Sequence, residues 1–559
     1  MRRGTRARTA RAARTAGVLG TAVAAAVLAG PFLAGGCLAN TPHYTPYHTY
    51  YVSPAGDDRN DGRSPSHPWR TLAHADNQAY QPGDQLLLEG GKRFRGSLEL
   101  RRGEAGRADR PVVVGSYGDG RATIEARNSV GIRIYDTAGV DIRDLTLVGA
   151  GTARTAHTGI DLYSDLPQDG KLRHVTVSRV DVSGFRAGMQ IGAKGRRGFG
   201  DVRIAQTAFH DNKDVGLVTY GADYGPATPW TYAHEDIAVV QVQAYRNTGD
   251  PKAAHRHTGD GIILGSVQRA RVERSSAHDN GTRASKTSLE GPVGIWTYDS
   301  TQVLIEGNAS YRNHSGNKID GGGIGLDSNV SRTLVQYNLA FGNDGPGFHA
   351  YSSKTNTAHH DNVFRFNVSS SNGRKKWEGG EFDIHGVRLR NLYVYNNTLV
   401  TTDAPGRPPM TAIRYITKQP ENIVLRNNIL VTESGPIISA SKAAVAGKIA
   451  VQGNTYYTAE GKWALDWGAH TYGSLAAFRD KSGQEKVDGK PAGSDQAPCF
   501  RGGDAPAVTR VDRVWLLAPE CRALAGGGLD LHALFGLDPG PQDYYGSPLK
   551  APLPVGAIR

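Results

Sequence analysis

Eight side chains suited to binding sugars or moving protons fall on one face of this 559-residue chain: Trp296, Tyr298, Asp327, His349, Tyr351, Asp383, His385 and Arg414. A solvated strand face ordinarily carries Thr, Ser, Lys and Glu. Aromatic rings beside acids, histidines and an arginine instead suit a glycan, because rings stack on the apolar faces of pyranoses while polar groups fix the hydroxyls. Two chemistries fit. In hydrolysis one carboxylic acid protonates the leaving oxygen and a carboxylate activates water. Asp327 and Asp383 are the pair for this role, with Cα atoms about 12 Å apart by strand geometry and side chains able to lean toward the roughly 6.5–9.5 Å of an inverting enzyme. In β-elimination from a uronate, a base takes the proton next to the carboxylate and a cation holds the resulting enolate. Arg414 would supply that charge, and Tyr351 or His349 the proton transfers. Trp296, Tyr298, His385 and Tyr220 would bind substrate, joined by Trp230 from the loop 221–234. Hydrolysis is favoured because a carboxylate pair needs no uronic substrate. Elimination and a non-catalytic, glycan-binding adhesin are the alternatives.

What places these residues together is a short phrase (small, apolar, variable, apolar, variable) that recurs about eleven times between residues 131 and 440. It reads Gly131-Ile132-Arg133-Ile134-Tyr135, Gly159-Ile160-Asp161-Leu162-Tyr163, Gly261-Ile262-Ile263-Leu264-Gly265 and Gly294-Ile295-Trp296-Thr297-Tyr298, with looser copies to Pro436-Ile437. Strict alternation over so few residues is a strand with one buried face. A spacing of 24 to 34 residues over most copies is one unit stacked many times. A second phrase, out of step with the first, ends in asparagine at Asn308, Asn338, Asn367, Asn397, Asn428 and Asn454. Each repeat therefore has at least two strands and no helical period, which is a coil of a parallel β-helix. The asparagines read as a structural ladder, since an amide can both give and accept hydrogen bonds. Positions two and four of the phrase point inward, and positions three and five outward.

Three stretches carry a resemblance to a known group: Tyr50-Tyr51-Val52-Ser53-Pro54-Ala55-Gly56 with Asn60-Asp61-Gly62 and Pro68-Trp69-Arg70-Thr71-Leu72; Pro82-Gly83-Asp84 before an apolar strand; and Asp320-Gly321-Gly322-Gly323 with Asn343-Asp344-Gly345-Pro346-Gly347. With these the chain resembles the secreted bacterial right-handed parallel β-helix proteins of the pectate-lyase-like superfamily, over residues 50 to about 455. The resemblance implies an all-β solenoid. It implies no particular reaction, because that superfamily holds lyases, hydrolases, epimerases and adhesins.

The expected organisation is an export signal over 1–39, an N-terminal cap and first coils over 40–130, the β-helix with its substrate face over 131–456, and a cap with a wrapping tail over 457–559. Arg2, Arg3, Arg6, Arg8, Arg11 and Arg14 precede an apolar run from Val18 to Leu33, an export pattern. Cleavage after Ala39 would release the chain, whereas acylation at Cys37 would anchor it, so a secreted or envelope-associated protein without a membrane span is expected. The formal charge of +12 falls to near +6 without those six arginines. No basic run with interleaved aromatics speaks for nucleic acid. A polysaccharide is the expected partner, and a monomer the expected state. Cys499 and Cys521 form a plausible disulfide. A short helix over 69–80 should close the first coil and hide its sheet edge. Metal signals are weak. Asp57 to Gly62 reads as a turn, and His255, His257, His359 and His360 lack a third ligand at zinc-like spacing. Asp260 and Asp320 could join Asp327 around calcium, the one cofactor left open.

Overall fold

The computed structural model describes residues 47–222, 231–354, 358–375 and 380–558. The export segment, Cys37 and Trp230 lie outside the described residues. The chain winds into three long sheets of 14, 14 and 13 strands, and each strand pairs with its counterpart one coil away. Within these three sheets pairing among the described residues is parallel except where His470–Tyr472 folds back on Leu465–Gly468. Each coil thus has three strands. In most coils the third is only three residues long, as in Val368–Ser370, too short to leave an alternating pattern in the sequence.

The inward column is as the phrase demands. Ile295, Ile324, Phe348 and Phe382 are fully buried and lie in register. The small first residue has a steric cause. A Cβ on Gly131, Gly188, Gly261 or Gly323 would lie 2.4–2.6 Å from the carbonyl oxygen of the residue starting the next coil. The asparagine ladder also holds: Asn338 donates its backbone N–H and its side-chain Nδ2 to Asn367 Oδ1 (3.1 and 3.0 Å) and reaches Ile305 O at 2.8 Å. A second, parallel ladder runs through Asn212, Asn247, Asn280, Asn313, Asn343 and Asn372. Each ladder ends on a buried glutamate, Glu485 for the first and Glu381 for the second. A carboxylate has acceptors to spare, so it satisfies the last amide where no further asparagine follows.

The N-terminal cap helix spans Leu72–Asp76, shorter than the 69–80 expected, with the Thr71 side chain capping His74 N. At the far end the helix Leu475–Ser482 buries Leu475 and Phe478 over the last coil. The tail then runs back over the outer face of the sheet of three-residue strands. There Val508, Val514, Leu517 and Val555 cover Leu339, Phe341, Val368, Val400, Ile429 and Val431. Cys499 and Cys521 are disulfide-bonded, with Cα atoms 5.6 Å apart. Among the described residues no helix is long and apolar enough to cross a membrane.

Candidate active site

Five successive strands of one sheet carry the outward column. Trp296, Gly325, His349, Asp383 and Arg414 are direct partners, each one coil from the next. The sequence register is correct, but the openness it suggested is not. Trp296 and His349 are 5% exposed and Asp383 is 0% exposed. Trp296 packs with Val293, Ile263, Val215 and Ala187. The His349 ring fills the space left empty at Gly325, where a Cβ would sit 2.0 Å from Nε2. Burial, reinforced by the neighbouring His385, pushes the His349 imidazole down to about 3, so it stays neutral.

Asp383 is clamped. Arg414 donates Nε to Oδ1 and Nη2 to Oδ2, both at 3.0 Å, and His385 Nδ1 lies 3.2 Å from Oδ2. Burial disfavours its charge, but His385 and Arg414 outweigh that and hold the carboxyl well below the usual carboxylate range. In return Asp383 raises His385 against the opposing effect of burial. Asp383, expected to share proton transfer with Asp327, thus has both carboxylate oxygens engaged by Arg414 and His385. A buried carboxylate with both oxygens in a fork neither carries a proton nor reaches water. Its two oxygens hold Arg414 and lie against His385. The ring of His385 lies 4.6 Å from that of Tyr351, whose phenol is raised by burial and by the charges of Asp327 and Asp320.

A second group forms around His257, in the loop before the strand Asp260–Gly265. His257 Nδ1 donates to Gly291 O at 2.6 Å, and its ring lies 4.6 Å from that of Trp296. The same residue, Gly291, donates its N–H to Asp320 Oδ2 at 2.8 Å. Asp320, Asp327 and Asp260 all come within charge range of His257. Asp260 is fully buried, and its Oδ1 accepts from Val293 N (2.9 Å) and Trp296 Nε1 (3.0 Å) while Oδ2 has no partner. Burial pushes Asp260 up to about 7, with His257 opposing.

Asp320 and Asp327 bracket the strand Gly322–Leu326 and both remain partly open to solvent. Burial pushes Asp320 up to about 6; the His257 cation opposes the shift and the Asp327 charge reinforces it. Asp327 is raised as well, by burial, against His257, His385 and the N–H of Ser328, which donates to Oδ1 at 2.6 Å. Asp320 and Asp327 are thus two coupled carboxyls sharing one histidine.

Tyr298 lies beside this group, its ring 5.4 Å from that of Trp296. Tyr220 does not. It lies two coils before Tyr298 and three before the strand that ends at Asp327, in range of Asp161 and Tyr163. The calcium reading fails a fit test. Two N–H donors already occupy Asp260 Oδ1, the His257 cation lies within charge range of all three acids, and among the described residues no three His, Cys, Asp or Glu side chains form a metal-holding group. Sequence reasoning set His257 aside as a failed zinc ligand and gave Asp320 only a metal role. The available signal was a glycine-flanked aspartate at each end of the strand start, Gly259-Asp260-Gly261 and Asp320-Gly321.

Residues 130–367 match the family described as right handed beta helix region. The chain is 24% identical over 450 residues to a lacto-N-biosidase of Bifidobacterium longum subsp. longum, an alignment covering 63% of this chain and 27% of that protein, so the chain spans about a quarter of the curated relative's length. Among solved structures it is similar to a GH136 lacto-N-biosidase from Eubacterium ramulus (16% identity, TM-score 0.45, 74% of this chain and 68% of that one). It is also similar to the A-module of a mannuronan C-5 epimerase from Azotobacter vinelandii (17%, 0.44, 68% and 90%) and to a pectate lyase (15%, 0.36, 92% and 97%).

Proposed function

We propose that this right-handed parallel β-helix protein of the pectate-lyase-like type is a glycoside hydrolase, with Asp320 as the proton donor and Asp327 as the carboxylate that assists at the anomeric carbon. The observation that carries this reading is the coupled, solvent-reachable pair Asp320 and Asp327 around His257. The likeness to a lacto-N-biosidase supports it.

The chemistry follows from the environments. Asp320 Oδ2 already accepts the N–H of Gly291, so its proton resides on Oδ1, free to pass to the leaving glycosidic oxygen. Asp327 ionises first, because the Asp320 shift includes repulsion from an Asp327 charge. Its carboxylate then either activates water or attacks the sugar carbon. Two neighbouring acids held in opposite protonation states are what the acid and base halves of glycoside hydrolysis need. His257 stabilises the single negative charge on the pair, and burial of Trp296 and Asp260 beneath it fixes its ring.

Elimination fits less well. Arg414 is already neutralised by Asp383. His349 is held neutral at about 3, and the Tyr351 phenol is raised, so neither is a ready base. The deciding experiment incubates the protein with a panel of polysaccharides, including uronate-containing ones, and reads both reducing ends and ultraviolet absorbance. New reducing ends without absorbance are expected. An absorbing, unsaturated product would establish elimination instead. Binding without any product would make the chain a glycan-binding protein.

A further inference from the structure

The outward column at position five holds a second pattern, on the coils before the acid pair. Tyr163 pairs with Gly192, and Gly192 with Tyr220. The next pairs, Thr219 with Leu264 and Gly265 with Tyr298, place Tyr220 beside Gly265 and Gly265 beside Tyr298. From Tyr163 to Tyr298, tyrosine therefore stands on every second coil with glycine between, and one coil earlier Tyr135 stacks on Tyr163 with ring centres 6.4 Å apart. The glycines are seats for the rings. A Cβ on Gly192 would lie 2.3 Å from Tyr220 Cζ, and one on Gly265 2.3 Å from Tyr298 Cζ. Both rings lean back over the glycine of the preceding coil, and Tyr163, Tyr220 and Tyr298 all keep part of their surface in solvent. Burial pushes the Tyr220 phenol up to about 12, so it offers a neutral ring and hydroxyl. Position three beside this row is polar at its far end. Gln190 Nε2 donates to Asp161 Oδ1 at 2.7 Å, and Arg186 Nη2 donates to Gln190 Oε1 at 2.8 Å. At its near end, the pairing of Thr297 with Leu326 puts Tyr298 beside Asp327.

We propose that Tyr163, Tyr220 and Tyr298 form a track for an extended glycan with a two-sugar repeat, leading into the Asp320–Asp327 pair. Two coils span about 9.6 Å, comparable to the length of a disaccharide unit in an extended chain, so each ring meets an equivalent face of every second sugar. Rings of neutral phenol stack on pyranose faces, and Gln190 and Arg186 meet the hydroxyls of the sugars between. The inference rests on the hydrolase reading for its direction, but the track itself would bind glycan without turnover.

The test uses oligosaccharides of two to eight units from chitin, xylan, cellulose, hyaluronan and poly-N-acetyllactosamine. For a series the protein cleaves, kcat/KM should climb in two-unit steps up to about six units, the reach of three platforms. Tyr163→Ala should lower kcat/KM about fivefold through KM on the longest members, as expected for loss of one stacking contact. It should leave the shortest cleaved member unchanged, and Tyr163→Phe should restore the loss. Gly192→Ala, which unseats the Tyr220 ring, should flatten the middle step. A Tyr163→Ala length profile that superimposes on wild type overturns the track. If no series is cleaved, the hydrolase reading falls and the track is judged by affinity electrophoresis in the same polymers. Retarded wild type with freely migrating Tyr163→Ala and Gly192→Ala supports it, and unretarded wild type overturns it.

Discussion

Asp320 and Asp327 flank one strand and Asp383 stands two coils further on, and what neutralises each one decides its chemistry. Asp383 has a guanidinium fork and a histidine; Asp320 and Asp327 share His257 and repel each other. Asp320→Asn and Asp327→Asn should each lower turnover by about 10²–10⁴-fold, the usual contribution of one acid or base, with melting temperature close to wild type. Asp383→Asn should behave differently. It strands Arg414 in a mostly buried site, so a loss of about 3–5 kcal/mol in urea unfolding is expected. Activity should follow a bell-shaped pH curve. It rises as Asp327 ionises above the usual carboxylate range and falls as Asp320 loses its proton near 6. Asp260 gives a separate signature in stability. Burial lifts its folded carboxyl to about 7 from an ordinary value of 3.8, so the folded state binds the extra proton between those values and stability falls as pH rises through that window. Asp260→Asn should flatten that slope, by no more than about 4 kcal/mol, in unfolding curves at pH 4 and pH 8.

Strands and ladders carry their own predictions. Ile324→Ala should cost roughly 2–5 kcal/mol through lost burial and a cavity. Trp296→Ala should also cost about 3–5 kcal/mol, because the ring is buried against Ile263 and Val293 and its Nε1 satisfies Asp260. Alternation in the sequence identified which way Trp296 points but not what covers it, since Ile263, Val215, Ala187 and His257 come from other coils. Asn338→Ala should cost about 1–3 kcal/mol by leaving buried backbone groups unpaired, including Ile305 O. The first asparagine ladder was legible because its members end a recognisable strand phrase. The second was not, because its asparagines follow three-residue strands with no period to read.

The whole molecule is a solenoid closed at both ends and strapped along one side. Truncation after Gln496 should uncover Leu339, Phe341, Val368, Val400, Ile429 and Val431. Stronger binding of a hydrophobic dye and light scattering at micromolar concentration are the expected readouts, since soluble proteins rarely expose so large an apolar patch. The strap also explains why Arg365 is tolerated at 5% exposure. Its Nη1 donates to Asp538 O and Oδ2, at 2.8 and 3.1 Å, groups supplied by the returning tail.

The sequence alone determined the solenoid, its register, the inward column and the first asparagine ladder. A stacked coil repeats one local environment, so burial and sterics write the same residue type at the same position many times. It also placed Asp327, Tyr298 and the His385–Asp383–Arg414 column on one face. What only the tertiary structure decided is which of these side chains are open, which charges cancel, and that His257 reaches across to Asp320 and Asp327. Those outcomes depend on loops that occur once each, with no repeat to amplify their signal, and on protonation set by neighbours some seventy residues apart in the chain. Charge and access at a site are sums over the folded surroundings, and a periodic pattern carries only the part that recurs.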